Sequence, residues 1–257
     1  RDAGRFFLLV DSFDPHEPWD PPREYREMYN PGYSGREVIT PLYGEADYLS
    51  GEELREMRAC YAGEVTMVDR WLGLFLEEMR ETELMERTLL VLVSDHGHPL
   101  GERGLIGKLG RGMFPELMDI PLLIRHPEKV GAGKRVDAFV YNHDVVPTAL
   151  GLLGVRREMT VDGQDVWPLV TGEAEPRREY VTSAFDNYIW ARDDRYAYTA
   201  RCDGAEPRLY DLERDTAQGL DIAGERPDVV QEMFKRVLYD AGGPITDYTR
   251  RAEWYSP

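Results

Sequence analysis

Cysteine is nearly absent: Cys60 and Cys202 are the only two, and they lie far apart in the sequence. Neither a disulfide framework nor a thiolate metal pair can be built from them, and they read as two buried thiols, a usage leaning toward a reducing compartment. No run of about 18 apolar residues occurs, so no helix here can span a bilayer. The longest apolar stretches, such as 88–93, are the length of buried strands. Basic residues are outnumbered, 31 Lys and Arg against 48 Asp and Glu, for a net charge of −17. That balance argues against a nucleic-acid partner, which needs a basic surface. It leaves room for an anionic ester only where a metal, Lys, Arg or His makes a locally positive pocket. The first residues as given read as no secretory leader. Arg1 is no initiator methionine, and a strand-like segment begins at Phe6. The expectation is a piece of a longer protein, with its native localisation left open.

What is present is the composition of a globular protein, 42% hydrophobic and 31% charged over 257 residues, long enough for one large domain or two small ones. Residues 6–10 have strand character and run into a loop with Pro15, Pro18, Pro21 and Pro22, which prevent regular structure. Residues 23–50, rich in Tyr, Gly and Pro, read as an irregular excursion. From Gly51 a stripe of Leu54, Met57, Tyr61, Val65, Val68, Leu72, Phe75, Leu76 and Met79 recurs at spacings of three and four, the pattern of an amphipathic helix.

An apolar strand over 88–93 follows, and helix then buried strand is the grammar of an α/β fold with a parallel or mixed sheet. Further strands are expected over 120–124 and 136–141, and a short helix over 145–153. Beyond Asp162-Gly163, segments 180–184, 188–192 and 196–201 suggest antiparallel strands, and 228–239 a last helix. The expected organisation is an α/β domain over residues 1–160 followed by a smaller antiparallel α+β subdomain over 161–257.

The chemistry gathers at strand ends. Ser94-Asp95-His96-Gly97 follows the apolar strand, where α/β sheets collect functional groups. Asp95 and His96 offer a hard oxygen and an imidazole nitrogen suited to a divalent cation. Taken alone, a capping aspartate beside a hydrogen-bonded histidine explains the tetrapeptide as well. Downstream, a glycine-punctuated loop ends in Lys108, and upstream Asp14-Pro15-His16-Glu17-Pro18 follows another strand-like segment. These loops can bring His16 and Lys108 to the same crevice, making a cradle for a tetrahedral oxyanion.

Pro-His-x-Pro, then Ser-Asp-His-Gly, then Gly-x-x-Gly-Lys, in this order, resembles the sulfatase family of the alkaline-phosphatase-like superfamily. The likeness continues through 120–125, through His143-Asp144-Val145-Val146-Pro147-Thr148 and Asp162-Gly163, and through 209–215, Leu-Tyr-Asp-Leu-Glu-Arg-Asp. It covers residues 5 to about 240, the C-terminal part of such a protein.

The resemblance implies that Asp95 and His96 are ligands of a divalent metal, calcium first, with manganese or magnesium as alternatives. It implies that His16 touches the ester near its bridging oxygen and that Lys108 binds a sulfate oxygen. Arg103 stands where the family often has histidine and is a candidate anion-binding cation, with a surface arginine as the plainer alternative. His98 stands where the family commonly has an acid, and lines the pocket or sits exposed in its loop. The substrate implied is a small-molecule or saccharide sulfate ester. The family's nucleophile, a formylglycine made from cysteine within Cys-x-Pro-Ser-Arg or Cys-x-Ala-Ser-Arg, fits neither Cys60 nor Cys202 and is expected upstream, with the remaining metal ligands. The expectation is therefore a sulfate-ester hydrolase whose isolated C-terminal part is inactive. The alternatives are a phosphonate monoester or phosphodiester hydrolase of the same superfamily, and a noncatalytic sulfatase-like binding protein; a plain structural domain leaves the motif order unexplained.

Overall fold

A computed structural model describes residues 4, 6–155 and 160–246. In chain order the helices are α1 (Arg23–Arg26), α2 (Gly51–Glu81), α3 (Pro115–Met118), α4 (Val145–Leu152), α5 (Trp167–Thr171) and α6 (Pro227–Asp240). The strands are β1 (Gly44–Glu45), β2 (Leu90–Val93), β3 (Leu105–Ile106), β4 (Leu122–Arg125), β5 (Tyr180–Phe185), β6 (Tyr188–Asp193), β7 (Tyr196–Arg201) and β8 (Arg208–Asp211).

The expected stripe forms α2, and its start is set by a capping box. Ser50 Oγ accepts from the Glu53 amide at 3.2 Å, and the Glu53 carboxylate accepts from the Ser50 amide at 2.9 Å. The first half of α2 buries Met57 and Cys60 against Trp19, Val38 and Ile106. Its second half leaves Trp71, Leu74 and Phe75 exposed.

β2 pairs antiparallel with β4, Leu90 opposite Arg125 and Val93 opposite Leu122. No parallel pair occurs among the described residues. Residues 6–10, expected as a strand, form no ladder, and Phe6, Phe7, Leu8, Leu9 and Val10 are all exposed. The segment 136–141 is likewise not a strand. Both have the right side chains, but a strand exists only where a neighbour accepts its hydrogen bonds.

The C-terminal sheet is a four-stranded antiparallel meander, β5-β6-β7-β8. Asp194 and Arg195 link β6 to β7, and β8 adds a strand to those expected. One face, with Ile189, Ala191, Tyr198, Ala200 and Leu209, packs on Met233 and Val237 of α6. The other face seats the segment around α3: Trp190 and Val181 meet Met113 and Leu117, while Ala197 and Tyr210 meet Leu105 and Phe114.

A buried ion pair fastens the two parts. Asp144, fully buried, takes a two-pronged contact from Arg178 at 2.6 and 2.8 Å, together with the amides of Tyr141 and Gln164. Burial pushes the Asp144 carboxyl up, yet these donors outweigh it and hold it below the usual carboxylate range. Residues 247–257 of the expected second domain lie outside the described residues.

Candidate active site

The loop that carries His16 is held by Trp19. Its indole is fully buried, its backbone amide donates to the Ile39 carbonyl at 2.7 Å, and Nε1 donates to the Pro15 carbonyl at 3.0 Å. The ring also meets Tyr61 and His98 edge-on, at 5.5 and 5.0 Å between centroids. A loop that four prolines bar from helix or sheet is thus fixed by one aromatic anchor.

So placed, His16 meets Lys108 across 92 residues of sequence, Nε2 to Nζ 2.8 Å. His16 Nδ1 lies 2.7 Å from the Glu17 carbonyl oxygen. A carbonyl only accepts, so Nδ1 carries the ring proton; an ammonium only donates, so Nε2 presents its lone pair to Lys108. Gly107, at φ 91°, makes the approach of the lysine loop to Tyr43 possible, since a Cβ there would lie 2.3 Å from the Tyr43 ring. The Lys108 ammonium lies over that same ring, 5.7 Å from its centroid.

Asp95 and His96 follow β2 directly. The His96 amide donates to Asp95 Oδ1 at 2.8 Å, and His96 Nδ1 lies 2.7 Å from the Gly97 carbonyl oxygen, which again places the ring proton on Nδ1. His96 Nε2 therefore points its lone pair toward Asp95 Oδ2, 3.4 Å away. Two lone-pair atoms so close need a proton on Nε2 or a cation held by both. The pair is open, the Asp95 side chain being 82% exposed. Gly97 serves close packing: a Cβ would lie 2.1 Å from the Glu116 carbonyl oxygen, while its amide donates to Leu117 O at 2.9 Å. As a metal centre the set is partial, because no group of three or more His, Cys, Asp or Glu among the described residues can hold an ion.

His98 is buried, 8% exposed, against Trp19 and Tyr43. Burial pulls its pKa down to about 4, and its Nδ1 lies 3.9 Å from Glu17 Oε2. Arg103 is engaged by other partners. Its guanidinium donates to Glu116 Oε2 at 2.6 Å and to the Ala217 carbonyl, and it covers the Phe114 ring at 4.3 Å.

Two members carried no sequence signal. Glu17 fills the x of Pro-His-x-Pro, and its side chain is 10% exposed. Its Oε1 accepts from the Tyr43 hydroxyl and lies 3.8 Å from Lys108 Nζ. Tyr43 comes from the irregular excursion, and only the glycine before Lys108 hinted that something bulky lies there.

The arrangement is that of an alkaline-phosphatase-like fold, with Asp95 and His96 directly after β2 and Lys108 on the loop that follows β3. Solved structures agree. The chain is similar in fold to the phosphonate monoester hydrolase of Agrobacterium radiobacter, with a TM-score of 0.75 and 23% identity over 89% of this chain and 55% of that one.

Residues 1–155 match the Sulfatase family model, and residues 101–238 match that of the N-sulphoglucosamine sulphohydrolase C-terminal region. The chain belongs to the sulfatase family. Among its relatives, Arylsulfatase K of Xenopus laevis is 28% identical over 77% of this chain and 39% of its own length. Multifunctional alkaline phosphatase superfamily protein PehA of Trinickia caryophylli is 30% identical over 96% of this chain and 58% of its own. The chain thus spans about half the length of the relatives it matches. Among the described residues no helix is long and apolar enough to cross a membrane.

Proposed function

We propose that this chain supplies the anion-binding and leaving-group side of an active site that hydrolyses sulfate esters. The observation that carries the reading is the 2.8 Å contact of Lys108 Nζ with His16 Nε2. An incoming ester oxyanion competes with His16 Nε2 for the ammonium protons of Lys108. Charge that grows on a nonbridging oxygen as the S–O bond breaks is then met by Lys108. One transferable proton lies on the axis between Lys108 and His16, next to where the alcohol departs.

Asp95 and His96 would be two ligands of a divalent cation, calcium first, with manganese or magnesium as alternatives; bound there, it would polarise the ester. The nucleophile has to come from outside these 257 residues. Both cysteines are buried, neither has the formylglycine context, and burial pushes the Cys60 thiol up to about 12. The 257 residues alone are expected to turn over nothing.

Substitution in the whole protein tests the assignment. Lys108→Ala should lower kcat on an aryl sulfate about 10²–10³-fold while metal affinity is kept. His96→Ala should weaken metal binding, read by calorimetry, with the fold intact. Unchanged turnover in the first variant, or unchanged metal affinity in the second, removes the corresponding role. Hydrolysis of phosphonate monoesters is the competing reading, supported by the fold's likeness to such a hydrolase. Relative kcat/KM on an aryl sulfate and an aryl phosphonate of the same alcohol separates the two. The alcohol, small or saccharide, is left to the loops around the crevice.

A further inference from the structure

Glu17 is the member of the cluster whose charge runs against binding an anion. Its side chain is nine-tenths buried one residue from His16. Oε1 accepts from the Tyr43 hydroxyl and lies 3.8 Å from Lys108 Nζ. Oε2 has no hydrogen-bond partner and lies 3.5 Å from His16 Nδ1 and 3.9 Å from His98 Nδ1.

Burial pushes this carboxyl up, but the Tyr43 hydrogen bond, a backbone hydrogen bond, Lys108 and His98 outweigh it and hold it below the usual carboxylate range. Burial and Glu17 together raise the Tyr43 phenol, which stays a donor. A fixed negative charge therefore backs the ammonium that would grip the ester, and cancels much of its field.

The charge that such a cradle accepts is a matter of electrostatics. A sulfate monoester, a phosphonate monoester and a phosphodiester each carry one negative charge; a phosphate monoester carries two above its second ionisation, at about 6. The extra charge would sit roughly 6 Å from Glu17, where at an effective permittivity near 20 the repulsion is about a hundredfold in an equilibrium constant. Partial solvation lowers this to about tenfold or more. Resting on the reading of this crevice as an ester-hydrolase site, we propose that Glu17 is a charge filter. It tunes the Lys108–His16 cradle to singly charged esters and turns away dianionic phosphate monoesters.

The test compares wild type, Glu17→Gln and Glu17→Asp in the whole protein. Values of kcat/KM are measured at about pH 8, above the second ionisation of a phosphate monoester, on 4-nitrophenyl sulfate, 4-nitrophenyl phenylphosphonate and 4-nitrophenyl phosphate. Glutamine keeps the size and an acceptor for Tyr43 but removes the charge; it should raise the phosphate-to-sulfate ratio about tenfold or more. Aspartate keeps the charge and should leave the ratio within about threefold of wild type, which a purely structural role would not predict. A ratio moved by less than about twofold in Glu17→Gln overturns the filter.

Should wild type cleave none of the three esters, the hydrolase reading falls, and the filter is judged on calorimetric binding of inorganic phosphate. Wild type should bind it about tenfold more weakly at about pH 8 than at about pH 6, and Glu17→Gln should flatten that difference. The same pH dependence in both proteins also overturns the proposal.

Discussion

The two ends of this chain handle apolar surface in opposite ways. The C-terminal sheet is covered on both faces, by α6 on one side and by the segment around α3 on the other, so Ile189, Tyr198 and Leu209 are fully buried. Toward the N-terminus, β2 and β4 form a two-stranded ladder with Val93 and Leu123 exposed, the second half of α2 shows Trp71 and Leu74, and residues 6–10 lie bare. The loop that carries His16 is anchored by Trp19 on the first half of α2, while the lysine loop touches the covered sheet through Leu105 and Leu109. A finished wall and an unfinished crevice in one chain fit a protein whose relatives are about twice as long.

The largest effect should come from the buried pair at the seam. Arg178→Met leaves the Asp144 carboxylate uncompensated and should cost about 3–5 kcal/mol in urea unfolding. A loss below about 1 kcal/mol would mean that the two parts do not depend on this clasp.

Leu209→Ala, in the closed sheet, should cost about 2–5 kcal/mol. Leu123→Ala, at 58% exposure in β4, should cost less than about 0.5 kcal/mol in the 257-residue chain. A cost for Leu123→Ala in the whole protein that approaches that of Leu209→Ala would show that this face is covered there. Equal small costs for both would erase the contrast.

A further effect is pH-dependent and lies under the His16 loop. Glu64 on α2 is buried, and burial with Asp14 and Asp20 nearby raises its carboxyl from 4.5 to about 7. Between those values the native state keeps a proton that the unfolded chain has lost, so stability falls as pH rises through that window and then levels off. Glu64→Gln should therefore stabilise by about 1–2 kcal/mol at about pH 8 and by almost nothing at about pH 4. A melting-temperature gain that does not depend on pH would contradict this.

Much of the fold was legible because periodicity reports burial directly. The α2 stripe, β2, β4, α4, the hairpins and α6 all stand within a few residues of where the pattern puts them. What misled was propensity without a partner: residues 6–10 and 136–141 have strand-forming side chains, but fit to a neighbouring strand decides, and none is present for them among the described residues.

At the site, collinear motifs anticipated that His16 and Lys108 meet, and the contact is there. Glu17 and Tyr43 were silent, because a glutamate beside a histidine and a tyrosine in an irregular loop mean nothing until the chain brings them together. His98 and Arg103 each had two readings in the sequence. Trp19 buries the first, and a carbonyl 114 residues away holds the second.

β7 has a further consequence for how such a chain can change. Tyr196, Tyr198 and Ala200 point toward α6, while Ala197 between them points toward Leu105 and Phe114 beside the lysine loop. A single inserted or deleted residue in this strand would exchange the two sets, thrusting tyrosines at the lysine loop and alanine at the helix. Drift along this lineage should therefore lengthen and shorten the turns on either side of β7 while leaving its six-residue count untouched, so that its length serves as a ruler for aligning distant relatives.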